Sequence, residues 1–162
     1  MKLAQKRKVV AALIAQIEEE LVGMTRIARE AAEAASHEEN RSEGDKDMRA
    51  TEASYIARGQ AERAIEIERH VKRLAMLELK EFASTATVES GCVIELGQKD
   101  KTQTYMMLPV AGGRQVTIDN VRVATVTPTS PLGSALLGLS VGDDAEVAAP
   151  GQPKLYEVLS VS

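Results

Sequence analysis

Two stretches of this sequence carry apolar residues alternately three and four positions apart, and that spacing constrains the fold more than any other feature. In the first, Leu3, Val10, Ile17, Met24 and Ala31 hold one heptad position. Ile14, Leu21, Ala28 and Ala35 hold the other, with Arg7 as the single charged exception. In the second stretch, Ala50, Ala57, Ala64 and Val71 alternate with Ala53, Gln60, Ile67 and Leu74. Such a stripe lies along one side of a helix and is buried when a second helix covers it. No proline interrupts either stretch. Gly23 and Gly59 are the only glycines inside, each costing about 1 kcal/mol relative to alanine.

The two stripes predict their own pairing. Large residues come early in the first (Val10, Ile14, Ile17, Leu21) and late in the second (Ile67, Val71, Leu74), while small ones flank the segment between them. Pairing Val10 with Leu74, Ile17 with Ile67, Met24 with Gln60 and Ala31 with Ala53 gives position numbers that always sum to 84. The expected structure is therefore an antiparallel coiled-coil hairpin with its apex at Ser42. Alanine lets the helices approach closely, so the hairpin should narrow toward that apex. From the apex to Leu77 the helix would run roughly 50 Å at about 1.5 Å per residue.

The turn itself, residues 38–47, reads Glu-Glu-Asn-Arg-Ser-Glu-Gly-Asp-Lys-Asp. Five carboxylates fall in it: Glu38, Glu39, Glu43, Asp45 and Asp47. On the residues alone two readings stand side by side. A polar loop in water accounts for the acids; so does a cluster that holds a divalent cation or manages protons.

Composition narrows the classes. Aromatic residues make up only 2% and tryptophan is absent, so packing must rest on aliphatic and alanine contacts. The lone cysteine, Cys92, has no partner for an internal disulfide and no companions for a zinc site, which fits a reducing, cytoplasmic setting. Lys2, Lys6, Arg7 and Lys8 precede an apolar run, as in a signal peptide, yet Glu18, Glu19 and Glu20 follow at once and the helical repeat continues past them. No stretch approaches the roughly 20 apolar residues of a membrane span. Residues 1–82 hold 15 basic and 16 acidic side chains, and residues 83–162 hold 5 and 8, so neither half has the basic excess of a protein that grips nucleic acid by itself.

Helical periodicity fails after Phe82. A linker over 83–90 leads into β-patterned segments at 92–96, 103–109, 121–127, 144–148 and 155–161, separated by glycine- and proline-bearing turns. Ala111–Gly112–Gly113–Arg114 reads as one of these hairpin turns; no helix follows it to supply the amide donors of a phosphate loop. Ser130 as N-cap, Pro131 at the first helical position and Gly138 past the end mark one short helix. The expected class is α+β: a coiled-coil hairpin over 1–82 with an acidic tip at 38–47, then a small antiparallel β domain over 91–162 with one helix. Cys92 has no histidine near it in sequence, and His37 and His70 read as surface residues of the hairpin. Tyr105 and Tyr156 read as sheet or core residues.

The segment Thr127-Pro128-Thr129-Ser130-Pro131-Leu132-Gly133-Ser134-Ala135-Leu136-Leu137-Gly138, followed by Val141-Gly142-Asp143, Pro150-Gly151 and Tyr156-Glu157-Val158, resembles the C-terminal domain of the Gre transcript cleavage factors. That family also places an antiparallel hairpin with an acidic tip before this domain. The resemblance implies an FKBP-like fold for 91–162 that binds bacterial RNA polymerase. It implies a hairpin that enters the polymerase secondary channel, where tip carboxylates help hold a second Mg²⁺ shared with the polymerase and orient water, so that the polymerase's own site cleaves backtracked RNA. The protein would then be a monomeric cofactor protein rather than an enzyme, meeting nucleic acid only through the polymerase.

At the tip the sequence departs from the family. The cleavage factors carry Gly-Asp followed by Leu-Lys-Glu-Asn-Ala-Glu-Tyr, with two acids three residues apart. Gly44-Asp45 matches the start, but Met48 stands where the second acid belongs and Tyr55 comes three residues late. Asp45 carries over; Asp47 or Glu43 must replace its partner, and Glu52 faces outward from the second helix. Gre-like relatives that occupy the channel without promoting cleavage, or that inhibit, supply the alternative reading. A peptidyl-prolyl isomerase is a third, argued only from the FKBP-like fold and opposed by the scarcity of aromatic residues to line a proline pocket.

Overall fold

The computed structural model describes residues 1–39 and 46–162, and the side chains of these except 34–39, 46–50 and 53. The chain divides into two compact units, one formed by Met1–Ile14 with Arg73–Ser162 and the other by Ala15–Lys72. Helix α1 spans Leu3–Glu39 and helix α2 spans Lys46–Ala75. Together they form the helical hairpin that the seam requires.

Burial follows the stripes in the hairpin, while Lys6, Val9 and Leu13, off the stripe in the first turns of α1, are buried as well. Val10 and Ile17 in α1 and Ile67 and Leu74 in α2 are buried. Leu21, Met24, Ala28 and Ala31, with Ala57, Gln60, Ala64 and Val71, are half-buried, whereas the residues between them are mostly exposed. Loss of buried area toward the alanine-rich positions follows from side-chain size, because an alanine has little surface to remove from water. The expected apex, Ser42, lies outside the described residues.

Helix α2 stops at Ala75 instead of running to Phe82. The Leu77 amide donates to the Leu74 carbonyl (3.2 Å), a tightened last turn. Beyond it Leu77, Leu79 and Phe82 are half-buried while Glu78, Lys80 and Glu81 are exposed, and no helical stripe fits that pattern. The buried ammonium of Lys6 donates to the Lys80 carbonyl (2.9 Å) and lies 4.3 Å from the centre of the Phe82 ring. Tertiary contacts with α1 have overridden local helix propensity here. Farther on, Val88 is buried; its amide donates to the Leu139 carbonyl and its carbonyl accepts from the Gly138 amide.

Six strands form one sheet: β1 (Val93–Gln98), β2 (Lys101–Met107), β3 (Gln115–Ile118), β4 (Val121–Val126), β5 (Asp144–Val147) and β6 (Lys154–Val161), in the order β3-β4-β2-β1-β6-β5. All neighbours pair antiparallel except β2 and β4, which run parallel. The parallel pair corrects the expectation of a purely antiparallel sheet, and β3 is a strand the sequence pattern did not suggest. Its hairpin to β4 turns at Asp119 and Asn120, both with φ above +45° (50° and 65°), the left-handed pair that a two-residue turn needs. Ala111 to Arg114 is accordingly no hairpin turn. It belongs to the connection that carries the chain past β4 to the sheet edge. Buried Thr125 of β4 holds that connection: its hydroxyl donates to the Ala111 carbonyl (2.6 Å) and accepts from the Arg114 amide (3.0 Å).

The core of the sheet is aliphatic, with Ile94, Leu96, Met107, Val126, Leu136, Val158 and Val161 around Cys92 and Tyr156. Helix α3 (Pro131–Leu136) packs on it. Ser130 caps the helix by accepting from the Gly133 amide (3.1 Å) while donating to the Thr127 carbonyl (2.8 Å). This tight loop leaves no room at Gly133, where an added Cβ would sit 1.9 Å from the Thr127 carbonyl oxygen. Helix propensity alone would make Gly133→Ala stabilising by about 1 kcal/mol. The clash with backbone reverses the sign, and we expect a loss of about 3 kcal/mol, as for a severe overpacking change. Urea unfolding measures it, and an unchanged or raised midpoint would contradict the packing described.

Lys6 gives a pH-dependent expectation. Burial, the largest cause, pushes its ammonium below the ordinary lysine value of 10.5. The folded state then binds fewer protons than the unfolded state between the depressed value and 10.5, so stability rises with pH across that alkaline window. Lys6→Met removes the titrating group and should flatten the rise. Equal slopes for both proteins in urea titrations between pH 8 and about 10.5 would refute the assignment.

Candidate functional site

Asp47 is the second residue of α2. Glu43 and Asp45 lie outside the described residues, as does the apex between them and α1. Glu52 is exposed on α2, as expected, and Tyr55 is 72% exposed three residues further on. Among the described residues no three acidic, histidine or cysteine side chains come together in a way that would hold a metal ion. The acids of 38–47 thus remain a cluster by sequence, anchored at one end by the start of α2.

The other chemically notable groups are structural. Cys92 is fully buried, and burial pushes its thiol up from the ordinary value, away from the thiolate that a nucleophile needs. His70 is half-buried on α2. Tyr156 belongs to the sheet core, and the Tyr105 hydroxyl donates to the Gln103 side-chain oxygen (2.7 Å), its own ionisation pushed up by burial. Both tyrosines are sheet residues, as their sequence setting suggested.

Sequence reasoning missed one cluster. Lys6 and Lys80 both approach the single phenylalanine ring, at 4.3 and 5.0 Å from its centre, and Lys80 pairs with Glu89 (2.6 Å). Two residues along α1, Lys8 pairs with Asp119 at the β3–β4 turn (3.1 Å), which holds the Asp119 carboxyl below the usual range. In the sequence Lys6 and Lys8 read only as part of a basic N-terminus. The one available signal was the basic run Lys6-Arg7-Lys8, which includes Arg7, the single charged exception in the apolar repeat.

Similarity to known proteins converges on one family. Residues 83–162 match the family model described as transcription elongation factor, GreA/GreB, C-term. A transcription elongation factor GreA of Beijerinckia indica is 31% identical over 137 residues, covering 85% of this chain and 82% of that protein. GreA of Methylobacterium nodulans is 31% identical over 113 residues, covering 70% of this chain and 66% of the relative, just under two thirds of its length. Among solved structures, GreA factor homolog 1 (Gfh1) of Thermus thermophilus superposes with a TM-score of 0.37 at 18% identity, over 92% of this chain and 94% of that one. A GreA/GreB factor of Nitrosomonas europaea gives 0.36 at 20% identity, over 61% and 78%. These overlays are loose, and the assignment rests on the sequence matches. Spanning most of the length of a GreA relative and carrying the family's C-terminal domain, the chain belongs to the GreA/GreB family of transcription elongation factors.

Proposed function

We propose that this protein acts on bacterial RNA polymerase in the cytoplasm, binding through the β body and inserting the hairpin into the secondary channel to stimulate cleavage of backtracked RNA. One observation carries the reading: the sequence places five carboxylates within residues 38–47, from the end of α1 to the start of α2, in a chain whose residues 83–162 match the GreA/GreB model. The protein is then not an enzyme but a partner that completes the polymerase's own active site, working as a monomer. Nucleic acid is met only within that complex.

The donor set suits the metal this chemistry needs. Mg²⁺ prefers carboxylate oxygens, keeps several waters, and is commonly held by one or two protein carboxylates. Asp45 and Asp47 would supply them, with Glu43 in reserve, and the polymerase would supply the rest. An Mg²⁺ held by these acids and the polymerase would supply charge stabilisation for phosphodiester hydrolysis. The contribution of this chain is to bring negatively charged oxygens to the ion and to orient the attacking water.

The shifted acids favour a second reading. With Met48 where the family's second acid stands, the hairpin would occupy the channel and modulate transcription without promoting cleavage. A cleavage assay on a stalled, backtracked elongation complex separates the two. We expect wild-type protein to shorten the RNA and Asp45→Ala/Asp47→Ala to lose that activity on the order of a hundredfold, the size expected when positioned charge-stabilising groups are removed. Binding to polymerase without cleavage would establish the regulatory reading, and absence of binding would defeat both.

A further inference from the structure

Helices α1 and α2 are not packed evenly along their length. In the unit Ala15–Lys72, Ile17 and Ile67 are the only buried side chains among the described residues, and the stripe pairs them as one layer. Beyond that layer, residues 18–33 of α1 and 51–66 of α2 hold no fully buried side chain among those described. Leu21, Met24, Ala28 and Ala31, with Ala57, Gln60 and Ala64, are only half-buried, while Val22, Ile27, Tyr55, Ile56 and Ile65 are exposed. The ion pairs Arg26–Glu30, Arg29–Glu33 and Arg58–Glu62 each join residues of one helix, so they support that helix without tying it to the other.

Three features weaken the helices in this stretch. Gly23 and Gly59 each lower helix stability, and a Cβ added at either would meet no atom within 4 Å. No close approach therefore requires a glycine at these positions. The Thr25 hydroxyl donates back to the Leu21 carbonyl (2.8 Å), where it competes with the helix's own hydrogen-bond ladder. The stripe pairing, whose position numbers sum to 84, sets Thr25 level with Gly59, and Gly23 lies within the same turn. Helical stretches of roughly 15 residues are marginal in water without a covered apolar face.

We infer that the hairpin beyond the Ile17–Ile67 layer opens as a cooperative unit of its own while the rest of the protein stays folded, with Gly23, Thr25 and Gly59 as its weak level. The sheet, closed around Ile94, Leu96, Met107 and Val158, opens only on global unfolding. The inference stands on burial and helix chemistry and needs no partner. Under the cleavage reading it adds a step, closure of the helix pair, before acids at 38–47 converge on one ion.

Amide hydrogen exchange of the full chain, read by mass spectrometry, tests it. Amides of 18–33 and 51–66 should exchange on the order of a hundredfold faster than those of β1, β2 and β6. Sub-denaturing urea should accelerate the sheet steeply and the outer hairpin weakly, because the local opening exposes less surface. Gly23→Ala and Gly59→Ala should each slow exchange of the outer hairpin about fivefold, the effect of one glycine-to-alanine change inside a helix. If the two helices open together, Gly59→Ala slows residues 18–33 as well as its own helix, and Gly23→Ala slows residues 51–66. Exchange of the outer hairpin at the sheet's rate and with the sheet's urea dependence would overturn the inference. So would slowing confined to the substituted helix, which means that the helices fray singly, or no slowing by either alanine.

Discussion

One buried ammonium group holds the start of α1 to the β body. Lys6 has no exposed surface, donates to the Lys80 carbonyl and stacks on Phe82, the only phenylalanine in the chain. A charge taken out of water is costly unless hydrogen-bonded and paired, so the site must keep both partners in place. That requirement explains why residues 76–82 leave the helical path: a helix continuing from Ala75 would keep the Lys80 carbonyl for its own ladder. With Lys8 bridging to Asp119, the first turns of α1 become part of the same compact unit as the sheet, although the rest of α1 belongs to the other.

Most of the hairpin was legible because a single periodic stripe encodes it. Burial falls on Val10, Ile17, Ile67 and Leu74 and fades through the alanines, as side-chain size dictates. The end of α2 was illegible for the opposite reason. Met76, Leu77 and Leu79 look like continued helix, and only a lysine some seventy positions earlier (|i−j| = 74) decides otherwise. Strand β3 was hidden because the glycines of Ala111–Gly112–Gly113–Arg114, directly before it, have the composition of a hairpin turn. Its turn, Asp119–Asn120, uses residue types that tolerate the left-handed φ values found there. The parallel β2–β4 register depends on long-range contacts such as Thr125 with Ala111, which no local pattern reveals.

The tip poses a geometric problem that the family match does not remove. Two acids three residues apart share one side of a helix; two acids two residues apart do not. Since α2 already includes Lys46 and Asp47, Asp47 is committed to helical geometry. If Asp45 and Asp47 are to hold the same ion, as proposed, a continuous helix through both would not serve, since it puts them on different sides. A strict three-residue spacing from Asp47 toward the apex reaches Gly44, which has no side chain to offer. Glu43, four residues from Asp47, is the acid that a helix extended backward would bring to the same side. Channel occupancy needs none of this and tolerates any arrangement of negative charge. Cleavage, on the proposed reading, is the more demanding function, because it needs two of the acids at 43, 45 and 47 to converge on one ion.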